Sequence, residues 1–128
     1  MMTVKKKILV VDDEASMTRM LKRSLESTGR YEVHTENSGE AAVAAARAFH
    51  PDFILLDVMM PGVDGGDVAA RLKEDKALAN IPVVFLTAII KQEETTATGG
   101  NIGGCEYLAK PVKTEDLVAC IERHLGKA

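Results

Sequence analysis

The chain lacks most of what would anchor a small secreted, metal-stapled or membrane protein. It has only two cysteines, Cys105 and Cys120, with no CxxC spacing, so neither a disulfide framework nor a thiolate zinc site is signalled. Nothing marks secretion, and the thiols are expected to be reduced in a cytoplasmic setting. The histidines, His34, His50 and His124, are scattered singly, which argues against a histidine-built metal site. No apolar run exceeds about four to six residues, against roughly 20 needed to span a bilayer, so no membrane insertion is expected. The lysines Lys5, Lys6 and Lys7 precede an apolar stretch that stops at Asp12-Asp13-Glu14, too short for the core of a signal peptide. Nor is there an excess of positive charge. The formal net charge of -3 leaves no basic footprint, and direct nucleic-acid binding is not expected.

What is present is an ordinary balance for one folded domain: 128 residues, 46% apolar and 27% charged. Short apolar runs alternate with helical patterns five times. The strands expected are Ile8-Leu9-Val10-Val11, Tyr31 to Thr35, Phe53-Ile54-Leu55-Leu56, Pro82 to Leu86, and Glu106 to Ala109. The helices expected are Ala15 to Thr28, closed by Gly29, then Glu40 to Phe49, Gly66 to Asp75, and Glu115 to Leu125. Asn37 with Glu40 reads as a capping box for the second helix, and Thr114 as the cap of the last.

Strands that are apolar throughout and alternate with helices predict an α/β fold. The expectation is a flavodoxin-like doubly wound sheet of five parallel strands, order 2-1-3-4-5, with helices on both faces, in one domain over 1–128. The segment Lys91 to Gly104 opposes a regular helix. Its threonines and glycines cost roughly 5–6 kcal/mol in helix propensity relative to alanine. A short or frayed helix over Lys91 to Thr98 followed by a loop is expected.

The chemistry lies in how the strands end. The first runs into Asp12-Asp13, the third into Asp57, the fourth into Thr87 and the fifth into Lys110-Pro111. In open parallel sheets ligands bind beyond the carboxyl ends, where strand order reverses, and order 2-1-3-4-5 would bring these four ends together. Clustered carboxylates repel one another and invite a hard cation such as magnesium. A lysine supplies a point charge for a phosphate and a threonine a hydrogen bond. With no Ser, Cys or His at any strand end, a carboxylate is the expected nucleophile. Each feature alone has a plainer explanation as polar loop or solvated charge; their coincidence favours a phosphoryl site.

Four motifs, Ile8-Leu9-Val10-Val11-Asp12-Asp13-Glu14, Leu55-Leu56-Asp57-Val58-Met59-Met60-Pro61-Gly62-Val63-Asp64-Gly65, Leu86-Thr87-Ala88 and Tyr107-Leu108-Ala109-Lys110-Pro111, together resemble the receiver domains of bacterial response regulators, along nearly the whole chain. The resemblance implies that Asp57 is the phosphoacceptor, charged by a sensor histidine kinase or phosphotransfer protein. Asp13 would ligate Mg2+ directly, Asp12 directly or through water, and the Met59 backbone carbonyl would add a ligand. Lys110 and Thr87 would hold the phosphoryl oxygens, with the Ala88 backbone N–H. Thr87 and Tyr107 would form the switch, and the Lys110–Pro111 peptide would be cis. Met59 and Ile89 would flank the approach of attacking water without orienting it, implying slow self-dephosphorylation.

On this reading the chain is a phosphorylation-activated signalling switch, either a stand-alone receiver or one cut from a longer regulator or hybrid kinase, that acts through an unidentified protein target or a phosphorelay. It would not be an enzyme beyond its own phosphorylation and dephosphorylation. An aspartate-nucleophile, magnesium-dependent phosphatase is the alternative. It is disfavoured because that family typically carries a second Asp two residues after the nucleophile, where Met59 stands. A nucleotide-binding module lacks both GxGxxG and a P-loop.

Overall fold

A computed structural model describes residues 5–60, 62–87, 100–102 and 105–126. The expectations for Ala88, for Ile89 and for a helix over Lys91 to Thr98 fall outside these. The strands are β1 (Lys6–Val11), β2 (Tyr31–Glu36), β3 (Phe53–Asp57), β4 (Met59–Met60), β5 (Val63–Asp64), β6 (Val83–Thr87), β7 (Gly100–Ile102) and β8 (Cys105–Ala109). The helices are α1 (Ala15–Glu26), α2 (Ala42–Phe49), α3 (Gly65–Glu74) and α4 (Thr114–Leu125).

The main sheet has the order β2-β1-β3-β6-β8-β7. Its first five strands are parallel and follow the expected 2-1-3-4-5 arrangement of a flavodoxin-like fold. Residues alternate between two cores, as a pleated strand buried on both sides requires. Leu9, Val11, Ile54, Leu56 and Phe85 meet Ala42 and Ala46 of α2 and Val68 and Leu72 of α3. Ile8, Val10, Phe53, Leu55 and Leu86 meet Leu21 and Leu25 of α1 and Leu117 and Ile121 of α4. The chain departs from β1 to β2 on one side and returns to β3 on the other. The order therefore reverses between β1 and β3, where Val11 pairs with Leu56.

Several local expectations are corrected. Asn37 does not cap the second helix. A 3-10 turn over Gly39–Ala41 precedes α2, and its N-cap, Ser38, makes no side-chain cap bond. The Asn37 side chain is engaged elsewhere. Thr114 is the first residue of α4 rather than its cap, which is Lys113. The first helix stops at Glu26, although Gly29 does take the left-handed φ of 77° expected of a closing glycine. The stretch expected to be loop contributes β7, which pairs antiparallel with β8. Gly100 and Asn101 are poor strand formers, but here they pair with Tyr107 and Glu106 of β8, so the tertiary context overrides propensity. The loop after Asp57 closes as the small antiparallel hairpin β4–β5. Asp64, just before α3, caps it by accepting a hydrogen bond from Gly66 N at 2.7 Å.

His50 ends α2 at φ 53°, ψ 61°, the left-handed region, while its N–H bonds to Ala46 O. A side chain there is strained by roughly 1–2 kcal/mol, and glycine offsets part of that gain through greater freedom in the unfolded chain. His50→Gly is therefore expected to raise stability by up to about 1 kcal/mol. It should appear as a higher urea midpoint with an unchanged slope. An unchanged or lower midpoint would show that the turn is not strained.

Candidate functional site

The reversal between β1 and β3 places Asp12, just past β1, beside Asp57, the last residue of β3. Asp12 is fully buried and Asp57 is 3% exposed. Ionised carboxylates are rarely this buried without compensation. Asp13 joins them from the exposed side of the β1–α1 loop, and one oxygen from each of the three lies within 4.8 Å of the others. Asp12 Oδ1 accepts a hydrogen bond from Glu14 N at 2.9 Å, which curls the loop back over the strand end.

Lys110 enters from the end of β8. Its backbone N–H donates to Thr87 O at 2.8 Å, tying the two strand ends together. Its Nζ lies 2.9 Å from Asp12 Oδ2, 3.3 Å from Glu14 Oε1 and 3.4 Å from Asp57 Oδ2. Burial alone would lower the lysine pKa. The carboxylates of Asp12, Asp57 and Glu14 outweigh that and hold it above its ordinary value, so the ammonium stays charged. Asp12 Oδ2 is in ion-pair contact with the ammonium, and this buried oxygen has no further partner among the described residues. One lysine therefore faces several carboxylates. This donor set fits a hard divalent cation with oxygen ligands.

The other expected residues are placed as follows. Thr87 ends β6, buried, in register with Ala109 of β8. Tyr107 is buried on β8 opposite Phe85. Met59 opens the β4–β5 hairpin and pairs with Asp64, two residues beyond Asp57. Ala88 lies outside the described residues. The Lys110–Pro111 peptide is cis.

Three participants were not legible in the sequence. Glu14 is a partner of Lys110, whereas an acidic residue after a strand reads as loop. Gly65 lies where a Cβ would sit 2.6 Å from Asp57 O and 2.7 Å from Val58 Cα, so α3 starts in direct contact with the backbone of the phosphoacceptor candidate. The Gly65 N–H also donates to Val58 O at 3.0 Å. Asn37 donates from Nδ2 to Asp12 O at 2.8 Å and to Thr18 Oγ1 at 3.0 Å. Only the glycine pair Gly65-Gly66 after the Asp57 loop could have hinted at a close approach; nothing local distinguishes Asn37 from a helix cap.

Residues 8–122 match the family model described as the response regulator receiver domain. The chain belongs to the response regulator receiver domain family. Among curated relatives it is 41% identical over 125 residues to the phosphate regulon transcriptional regulatory protein PhoB of Pseudomonas aeruginosa, covering 97% of this chain and 53% of that protein. It is 35% identical over 124 residues to the polar-differentiation response regulator DivK of Brucella ovis, covering 96% of this chain and 98% of that one. The chain thus spans about half the length of the first group of regulators it matches and nearly all of DivK. Among solved structures, chemotaxis protein CheY4 of Vibrio cholerae superposes with a TM-score of 0.80 at 30% identity, over 95% of this chain and all of that one. The receiver domain is a signalling module of two-component systems, and its family partners are histidine kinases and downstream targets. No helix among the described residues is long and apolar enough to cross a membrane.

Proposed function

We propose that this receiver domain is a switch thrown by phosphorylation of Asp57, with the phosphoryl group supplied by the phosphohistidine of a sensor kinase or phosphotransfer protein. The observation that carries this reading is the convergence of Asp12, Asp13 and Asp57 with Lys110 Nζ 3.4 Å from Asp57 Oδ2. A carboxylate oxygen of Asp57 attacks phosphorus; the O–P bond forms as the P–N bond to histidine breaks, and the imidazole leaves. Lys110, kept charged by its neighbours, meets the phosphoryl oxygens as they arrive. Thr87 offers its hydroxyl from the adjacent strand end. A magnesium ion held by Asp12, Asp13, Asp57 and the Met59 carbonyl would supply positive charge to offset the carboxylates and the phosphoryl oxygens.

Phosphorylation adds up to about two negative charges in a pocket already rich in carboxylate, and the site responds by redistributing its hydrogen bonds. Thr87 and Tyr107 lie on neighbouring strands, β6 and β8, so a shift of the threonine toward the phosphoryl group alters the space behind it. The switch would thus pass from Asp57 to the surface that a partner reads. The product stays on the protein, so output is a changed protein–protein contact or onward transfer, not turnover. Labelling by a small acyl phosphate should require magnesium and vanish in excess chelator. Equal labelling with chelator present would remove the metal from the mechanism.

A further inference from the structure

We propose that Asn37 is a positioning residue for the cation site, acting through the Asp12–Asp13 peptide. The proposal rests on the reading of Asp12, Asp13 and Asp57 as a divalent-cation site. Asn37 follows β2, on a different loop from any of the three carboxylates. Its Nδ2 donates to the carbonyl oxygen of Asp12 at 2.8 Å and to Thr18 Oγ1 at 3.0 Å. A backbone carbonyl can only accept, which fixes the orientation of the Asn37 amide. Thr18 Oγ1 in turn donates to Ala15 O at 3.0 Å, so the amide ties three segments together: the end of β1, the first turns of α1 and the loop after β2.

The Asp12 carbonyl is half of the peptide unit that joins Asp12 to Asp13. Pinning it sets the plane of that peptide and hence the direction in which Asp13 leaves the backbone. Asp12 needs no such help. Its N–H continues the sheet ladder to Glu36 O at 3.0 Å, and its side chain is packed and bonded to Glu14 N. Asp13 is exposed, so packing does not place it. A peptide plane held by Asn37 keeps Asp13 within reach of Asp12 and Asp57 before a cation arrives. Groups that orient ligands in this way commonly carry about tenfold or more of metal affinity.

Because Asn37 is itself exposed, its truncation leaves no cavity. The test measures binding of Mn2+ to the whole chain by the loss of its free EPR signal, in wild type, Asn37→Ala, Asn37→Asp and Asp13→Asn, alongside the thermal midpoint without metal. The aspartate variant keeps the shape but cannot donate to the Asp12 carbonyl, and it adds a negative charge that would by itself favour a cation. We expect Asn37→Ala to bind Mn2+ roughly tenfold more weakly with only a modestly lower metal-free midpoint, and Asn37→Asp to bind more weakly too. Wild-type affinity in Asn37→Ala, or tighter binding in Asn37→Asp, overturns the positioning role. If wild type binds no Mn2+, or Asp13→Asn binds as wild type does, the cation-site reading beneath it fails instead.

Discussion

Gly65→Ala is expected to cripple both stability and phosphorylation, although it adds a single methyl, because it does so at the buried start of α3. The added Cβ would lie 2.6 Å from Asp57 O, 2.7 Å from Val58 Cα and 2.9 Å from Val58 O. All three are backbone atoms, so no rotamer change relieves the clash. Either α3 backs away from the sheet or the Asp57–Val58 peptide moves, and the second displaces the proposed nucleophile. Overpacking of this kind costs about 3 kcal/mol at the upper end of its usual range, or roughly 10 °C in thermal midpoint for a domain of this size. The neighbouring Gly66→Ala is the control. Its nearest contact is the flexible Asp64 Oδ1 at 3.2 Å, so it should retain near-normal stability and labelling. Equal behaviour of the two variants in a melting curve and an acyl-phosphate labelling assay would refute the close-approach role of Gly65.

Lys110→Met should have the second largest effect, with an unusual remedy. Methionine keeps much of the side-chain volume but removes the charge that faces Asp12, Asp57 and Glu14. Leaving a buried carboxylate without its partner costs on the order of 3 kcal/mol, less where solvent reaches the site. A divalent cation at the three aspartates can replace part of the lost charge. Magnesium should therefore raise the midpoint of Lys110→Met more than that of wild type, while phosphoryl uptake stays low because nothing meets the incoming oxygens. The pH dependence follows from the raised pKa of Lys110. A group whose folded pKa lies above its unfolded value stabilises fully below the unfolded value, here 10.5, and loses that contribution as pH rises through the folded one. On the alkaline side, the wild-type advantage over Lys110→Met should hold to about pH 9 and shrink only above roughly 10.5. A loss of that advantage between pH 7 and 9 would contradict the pairing.

The main elements were legible in the sequence because their cause is local. Phe53 to Leu56 is apolar throughout, which only a strand covered on both faces requires, and the polar residues ending such runs had to meet at one edge once the strands were parallel. What could not be read depends on contacts between segments distant in the chain. Asn37 satisfies the local pattern of a helix cap, yet a carbonyl 25 residues away outcompetes that role. The glycine and asparagine of β7 argue for loop, and only their pairing with β8 makes them strand. Gly65 stands in a motif whose meaning emerges only when α3 touches the Asp57 backbone. The charge of Lys110 was visible, but not that Glu14 shares it.

The most direct test is the intact mass of the protein after incubation with magnesium and a small phosphodonor, measured for wild type and for Asp57→Asn. The substitution removes the nucleophilic oxygen and leaves the shape of the strand end. We expect wild type to gain the mass of one phosphoryl group and Asp57→Asn to gain none. A wild type that gains nothing, or a variant that gains the same adduct, would contradict the assignment of Asp57 as the phosphoacceptor.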